Sequence, residues 1–180
     1  MRRTILSPPD LLGALVDLKH WLAISSAAED AALTGLLAAA LDACEAFTGA
    51  MPLVAECEEI HPAHRDWQSL AARPVQAIAG VEGIPAEGPR FALAPDAYAI
   101  DLGADGSGRV RVIRQGAAGR IAVRFTAGLA ADWSALPESL RHGTVRLAAE
   151  LHRARDGAPL PHPPAAVAAL WQPWRRMRLA

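Results

Sequence analysis

Apolar residues recur at helical spacing in the first quarter of the chain. One stripe runs from Leu11 to Leu22, and a second runs from Leu33 to Phe47 and stops at Gly49. Residues three and four apart share one face of an α-helix, so each stripe predicts a helix with one buried side. Glycine after the last apolar position is typical of a helix end. We therefore expect helices near residues 8–22 and 27–48.

Two short motifs predict where these helices begin. Ser7 followed by Pro8 is typical of a helix start, with the serine as N-cap and the proline in the first turn. Ser26 and Glu29 have the spacing of a capping box, in which each side chain accepts a hydrogen bond from the backbone N–H of the other residue. The sequence therefore predicts that both serines cap helices.

From about residue 53 the pattern alternates, and prolines and glycines interrupt it. In Arg109–Val112 and Arg120–Phe125, arginine alternates with valine or isoleucine, which predicts strands with one buried and one arginine-bearing face. The short connections favour antiparallel pairing. The expected strands are 53–61, 73–80, 97–102, 108–114 and 120–127.

Helical spacing returns after Pro137 and predicts a third helix over 137–155. A proline-rich linker follows, and a short apolar stripe then predicts a last helix over 164–176. These elements predict an α+β fold in which a bundle of about four helices carries an inserted, mostly antiparallel β-sheet. In this division residues 1–157 form the bundle with its β-region at about 53–128, and residues 158–180 form a linker and a docking helix.

Composition restricts the class of protein. The chain has 180 residues, of which 52% are hydrophobic and 21% charged, and its net charge is −1. Residues 4–64 carry nine acids and one lysine, whereas residues 65–180 carry fifteen arginines and ten acids. A total charge near zero argues against bulk duplex binding, and charges of opposite sign favour docking between proteins. Charged residues interrupt every long apolar run, so we expect no membrane span.

Few residues have the spacing of a reactive site. Cys57, His61 and His64 are the nearest approach to a metal triad, but no fourth ligand follows at a recognised spacing, which favours a buried thiol with two loop histidines. Glu58 and Glu59 alternate sides of a strand and would not face one substrate. The sequence therefore predicts no enzyme, no catalytic or metal residues and no cofactor.

The end of the chain concentrates tryptophan and arginine, the residues most enriched at interface hot spots. A terminal helix with two tryptophans either folds back on its own domain or docks onto a partner chain. We expect the second, with another protein chain as partner. The predicted partner-binding residues are Val167, Leu170, Trp171, Trp174, Arg175, Arg176 and Arg178.

Several segments match a known pattern in order along the chain. Leu18–Leu22, Leu33–Gly49, Leu136–Arg141 and Val167–Arg176 resemble the head-tail connector (adaptor) proteins of long-tailed phages and phage-derived gene transfer agents. The resemblance covers roughly residues 10–50 and 118–178, and the middle matches only in its pattern of strands and turns. These segments are helix-packing patterns without a catalytic signature.

The resemblance implies a structural subunit at the head-tail junction of a phage or gene-transfer-agent particle, assembled in the bacterial cytoplasm. Such adaptors form dodecameric rings beneath the portal, extend the DNA channel and present a surface to a stopper or other tail-side protein. DNA would then pass without specific binding, and we expect Glu56, Glu58 and Glu59 to line the channel. Two alternatives stay open: another tail-side ring protein such as a tail terminator, and a small metal-dependent enzyme using His61 and His64.

Overall fold

A computed structural model describes residues 2–154 and 163–175. Four helices and eight strands in two antiparallel sheets make up the secondary structure of the described residues, which confirms the predicted α+β fold. The chain divides into two compact units. One, the β unit, comprises Met1–Pro8 and Val54–Gly128; the other, the helical unit, comprises Pro9–Leu53 and Leu129–Ala180. The sequence-based division differs in that it separated the last helix from the bundle and included the first residues in it.

The helices lie close to their predicted positions. They are α1 (Leu12–Leu22), α2 (Asp30–Thr48), α3 (Glu138–Arg153) and α4 (Ala165–Trp171). The strands are β1 (Arg2–Ser7), β2 (Ala55–Pro62), β3 (Gln68–Ser69), β4 (Val75–Pro85), β5 (Phe91–Ala92), β6 (Tyr98–Leu102), β7 (Gly108–Val112) and β8 (Ala118–Ala127).

The β unit contains a five-stranded sheet in the order β1-β2-β8-β4-β5 and a three-stranded sheet in the order β3-β7-β6. Strand β8 pairs with β2 on one side, from Ala55 opposite Ala127 to Pro62 opposite Arg120, and with β4 on the other. Strand β1 was not predicted. It is the edge strand beside β2, and it is held there by pairing with residues that are distant in sequence, from Arg2 opposite Ile60 to Ser7 opposite Glu56.

The alternation of arginine and apolar residues is confirmed in β7. Val110 and Val112 are buried, whereas Arg109 and Arg111 are exposed. In β8 the alternation is incomplete, because Ala122 is buried as well as its neighbours on both sides. Strand β8 lies in the middle of its sheet, between β2 and β4.

Both predicted helix caps are wrong. Ser7 ends β1, and α1 begins at Leu12, whose backbone N–H donates to Asp10 Oδ1 at 2.9 Å. Ser26 Oγ accepts a hydrogen bond from the N–H of Ala28 at 3.0 Å and so closes a turn before α2. Strand pairing holds the first segment extended, and the second serine lies too far from the first helical residue to cap it.

The core of the helical unit is formed by the stripe predicted for α2 together with α1, α3 and α4. Leu33, Leu37 and Cys44 are fully buried in it. Burial, followed by the neighbouring Glu45 carboxylate, raises the pKa of the Cys44 thiol to about 12, so this thiol stays protonated at neutral pH. By length and mean hydropathy of 1.4, α2 could also cross a membrane, but its apolar stripe packs against the other helices of the unit.

We expect Leu37→Asp to unfold the helical unit. A carboxylate at this fully buried position costs several kcal/mol, a large part of the roughly 5–15 kcal/mol that stabilises a domain. Ala38→Asp is the matched control, because Ala38 is the next residue of α2 and is exposed. Thermal unfolding followed by circular dichroism measures both variants. Equal melting temperatures for Leu37→Asp and the unsubstituted chain would contradict the assignment of this stripe to the core.

Candidate functional site

The predicted partner-binding helix α4 lies against the helical unit of its own chain. Val167 and Trp171 are fully buried there, and the indole N–H of Trp171 donates to the Leu140 carbonyl at 3.4 Å. Gly143 lies directly under this indole: a Cβ at position 143 would be 2.3 Å from Trp171 Nε1. Phe47 of α2 lies on another side, with its ring centre 6.0 Å from that of Trp171.

The residues that follow Trp171 are less buried. The indole N–H of the half-buried Trp174 donates to Ser139 Oγ at 2.9 Å, and the exposed Arg175 guanidinium lies 5.4 Å from the Phe47 ring centre. Leu170 is also half-buried against the core. Arg176 and Arg178 lie outside the described residues.

Val167 and Trp171 are therefore core residues of the helical unit in this structure. The sequence left open whether the last helix folds back or docks. In the structure it folds back, because α3 has a glycine, Gly143, at the position where the indole of Trp171 packs. Partner binding by these two residues stays a prediction for a state in which α4 has left that groove. Trp174 and Arg175 keep free surface in the arrangement described here.

The sequence-level metal candidates do not converge. His61 is buried, and its Nε2 lies 3.2 Å from Glu59 Oε2. The His64 side chain is 63% exposed and lies beside Asp66, with 3.0 Å between its Nδ1 and Oδ2 of the aspartate. Among residues 2–154 and 163–175 no three potential metal ligands lie close enough to hold an ion. The alternative of a metal-dependent enzyme using His61 and His64 therefore has no geometric support.

The buried partner of His61 holds a loop in place. Glu59 is fully buried, and its carboxylate accepts hydrogen bonds from the backbone N–H groups of Ala71 and Ala72 at 3.0 to 3.1 Å. Burial acts to raise the pKa of this carboxyl, but hydrogen bonds from His61 and from the two backbone groups outweigh burial and hold the pKa below its ordinary 4.5. No sequence pattern indicates this contact, because two of the donors are backbone groups of an alanine pair.

The expected acidic lining of a DNA channel is wrong for two of its three residues. Glu59 is buried as described, and Glu58 on the opposite face of β2 is enclosed by arginines. Its carboxylate accepts from Arg90 at 2.9 and 3.0 Å and from Arg124 at 3.4 Å. Glu56 alone of the three is exposed. A carboxylate that is already paired and largely dehydrated cannot present its charge to passing DNA.

Comparison with known proteins finds similar solved structures but no matching family model. No family model matches the chain, and no curated protein matches it. A chain from the neck of an empty GTA particle, computed with C6 symmetry, is 26% identical over 100% of this chain and 98% of its own length, with a TM-score of 0.75. The chain is similar to neck chains of gene transfer agent particles.

Two further structures agree with this similarity. A chain from the virion of a native gene transfer agent (GTA) particle is 29% identical over 100% of this chain and 98% of its own, with a TM-score of 0.74. A chain from the neck of a native GTA particle, computed with C12 symmetry, is 27% identical over 98% and 97%, with a TM-score of 0.71. The likeness to GTA chains thus includes the middle of the chain, where the sequence resemblance was confined to the pattern of strands and turns.

We expect Glu59→Gln to lower the stability of the β unit and to remove part of its acid sensitivity. The lowered pKa means that the carboxylate stabilises the folded state fully above pH 4.5 and loses this contribution as the pH falls through the folded-state pKa. At pH 7 the amide should cost about 2 kcal/mol, since it accepts fewer hydrogen bonds. Denaturant unfolding between pH 7 and pH 3 measures this, with the exposed Glu56→Gln as control; identical curves for the two variants would contradict it.

We expect Trp171→Ala to destabilise the helical unit by about 3–5 kcal/mol, because it leaves a cavity over Gly143 in the core. Trp174→Ala is the matched control in the same segment, and it should cost less because Trp174 is only half-buried. Deletion of residues 165–180 should destabilise the unit in the same way, whereas it would change the stability little if α4 docked only onto a partner chain. Denaturant unfolding at neutral pH compares the three proteins.

Proposed function

We propose that this chain is a head-tail connector (adaptor) subunit that forms a ring under the portal, extends the DNA channel and joins the capsid to the tail. The observation that carries the proposal is the likeness of the whole chain to chains in the neck and virion of gene transfer agent particles. This chain and the similar chains agree in length and in fold over both units, which favours the same structural role in a particle. Its location would be the head-tail junction.

The chemistry of the described residues agrees with a structural part. The buried charged groups are used to hold strands and loops, as in the contact of Glu59 with Ala71 and Ala72 and the pairing of Glu58 with Arg90. Cys44 is buried with a raised pKa. Cys44, Glu58 and Glu59 thus lie within the packing of their units.

A ring is supported by the symmetry of the similar structures. Necks containing similar chains were computed with C6 and C12 symmetry, which favours several copies around one axis. We propose twelve copies, a portal on the head side, and a stopper or other completion protein on the tail side. DNA passes through the channel without specific binding.

The end of the chain is the proposed contact with the portal or an adjacent subunit. Val167, Leu170 and Trp171 anchor the segment in the helical unit, which leaves the free surface of Trp174 and the Arg175 guanidinium for the partner. Arg176 and Arg178 add positive charge beyond it. Guanidinium groups suit carboxylates at the rim of a partner surface.

The test is co-sedimentation with purified heads that carry the portal but lack this chain. We expect about twelve copies to join each head, as the C12 neck suggests. Arg175→Glu should reduce the number of copies joined, because its charge reversal leaves like charges at the rim, without changing thermal stability. Arg153→Glu is the control, since Arg153 is also an exposed arginine of the helical unit.

Three outcomes separate the alternatives. Binding to portal-bearing heads supports the connector. Binding to tail tubes and not to heads would identify a tail terminator instead. Binding to neither at low salt, where ion pairs are least screened, would overturn the proposal of a neck component.

A further inference from the structure

The segment that follows β4 forms an exposed arm at one edge of the five-stranded sheet. All residues of this arm, 86–92, are exposed. Its backbone is paired at its end, where Phe91 and Ala92 of β5 lie opposite Gly83 and Glu82 of β4. A two-residue edge strand opens locally at a small cost in free energy. The side-chain contacts of the arm therefore decide how firmly it is held.

One side chain of the arm reaches across the sheet. Arg90 Nη1 donates to Glu58 Oε1 at 3.0 Å and to Glu58 Oε2 at 2.9 Å. Glu58 belongs to β2, and β8 lies between β2 and β4, so the arginine crosses a whole strand to reach this carboxylate. The Glu58 side chain is only 11% exposed, and hydrogen bonds between charged groups are strong where water is largely excluded. This contact fastens the arm to the sheet.

A second carboxylate lies within reach of the same guanidinium. Glu82 Oε2 is 3.8 Å from Arg90 Nη1, and this buried oxygen accepts no hydrogen bond from any described residue. Glu82 lies on β4 and is paired with Ala92 of the arm, so it belongs to the same hairpin as Arg90. A buried acceptor without a donor costs free energy, which a small movement of Arg90 towards Glu82 recovers. Arg90 therefore has one acceptor across the sheet and one on its own hairpin.

Arg124 of β8 lies between the two carboxylates. Its Nε is 3.4 Å from Glu58 Oε2, and its Nη2 is 3.5 Å from Glu82 Oε1. Whichever carboxylate Arg90 leaves therefore keeps a guanidinium beside it. A buried charge left without its counter-charge is strongly unfavourable, and this arrangement avoids that penalty in both positions of Arg90.

We propose that Arg90 is a two-position latch for the arm. With Arg90 on Glu58 the arm is fastened across the sheet, and with Arg90 on Glu82 it is held by its own hairpin and opens more often. The Arg90 side chain is 42% exposed, so salt screens the cross-sheet pair and favours release. The latch is a property of the β unit and does not depend on the proposed connector role.

Limited digestion with chymotrypsin measures how often the arm opens, because the enzyme cleaves after Phe91 once β5 has left β4. The cleavage rate of a segment that opens and closes rapidly follows its open fraction. Glu58→Gln removes the cross-sheet carboxylate, and we expect it to raise cleavage after Phe91 about three- to tenfold. Glu82→Gln is the matched control: it makes the same change in the same cluster but removes the competing acceptor, so cleavage should not rise.

Two further measurements separate the latch from a general loss of charge. Arg90→Gln should raise cleavage as much as Glu58→Gln, and the double variant should add nothing, because both substitutions remove one contact. In the unsubstituted chain, an increase from about 0.02 M to about 0.5 M salt should raise cleavage after Phe91, and Glu58→Gln should lose most of this response. Cleavage after the buried Phe125 reports unfolding of the whole β unit and should stay absent.

Each contrary result overturns the latch. Equal cleavage of Glu58→Gln and the unsubstituted chain would show that other contacts hold the arm. An equal rise in Glu82→Gln would show that the total charge of the cluster matters and the cross-sheet contact does not. If Glu58→Gln unfolds the β unit, as cleavage after Phe125 would reveal, the unsubstituted chain decides, and the absence of a salt response in it overturns the proposal.

Discussion

The core of the helical unit depends on the backbone hydrogen bonds that join the two segments at which the chain leaves this unit and returns to it. The chain departs for the β-sheets after Leu53 and comes back at Leu129, and the two segments are joined by backbone hydrogen bonds, from Leu129 N–H to the Met51 carbonyl at 2.9 Å and from Ala130 N–H to the Pro52 carbonyl at 3.1 Å. Because α1 and α2 precede this point and α3 and α4 follow it, closure here brings sequence-distant stripes into one core. The entropic cost of closing a loop grows only slowly with loop length, so the insertion of the whole β unit between Leu53 and Leu129 adds little to the cost of bringing the two segments together.

The sequence predicted the elements whose signal lies within their own residues. The α2 stripe and the alternation in β7 are periodic, and burial follows the period. It failed where a distant partner decides: β1 is a strand because β2 is beside it, although Ser7 and Pro8 locally favour a helix start. The buried site of Trp171 depends in the same way on Gly143, a glycine that no local pattern of α4 indicates.

The distribution of charge could not be predicted from the sequence either. By sequence region the chain is acidic first and basic later, yet the two folded units are each close to neutral, with ten arginines and nine acids in the β unit. Folding pairs Glu58 with Arg90 and Arg124 and encloses Glu59, so these acids are lost as surface charges. Electrostatic arguments about assembly therefore need positions rather than regional totals.

This chain and the similar gene transfer agent chains share a fold although their sequences have diverged far. Identities of 26–29% accompany TM-scores of 0.71–0.75 over nearly the whole chain. A catalytic site would fix several residue types in space, whereas a packed core requires only apolar volume and pattern, which many sequences satisfy. The sequence resemblance was accordingly clearest in the helices, where packing stripes recur, and faint in the β unit, where pairing partners and turns carry the fold.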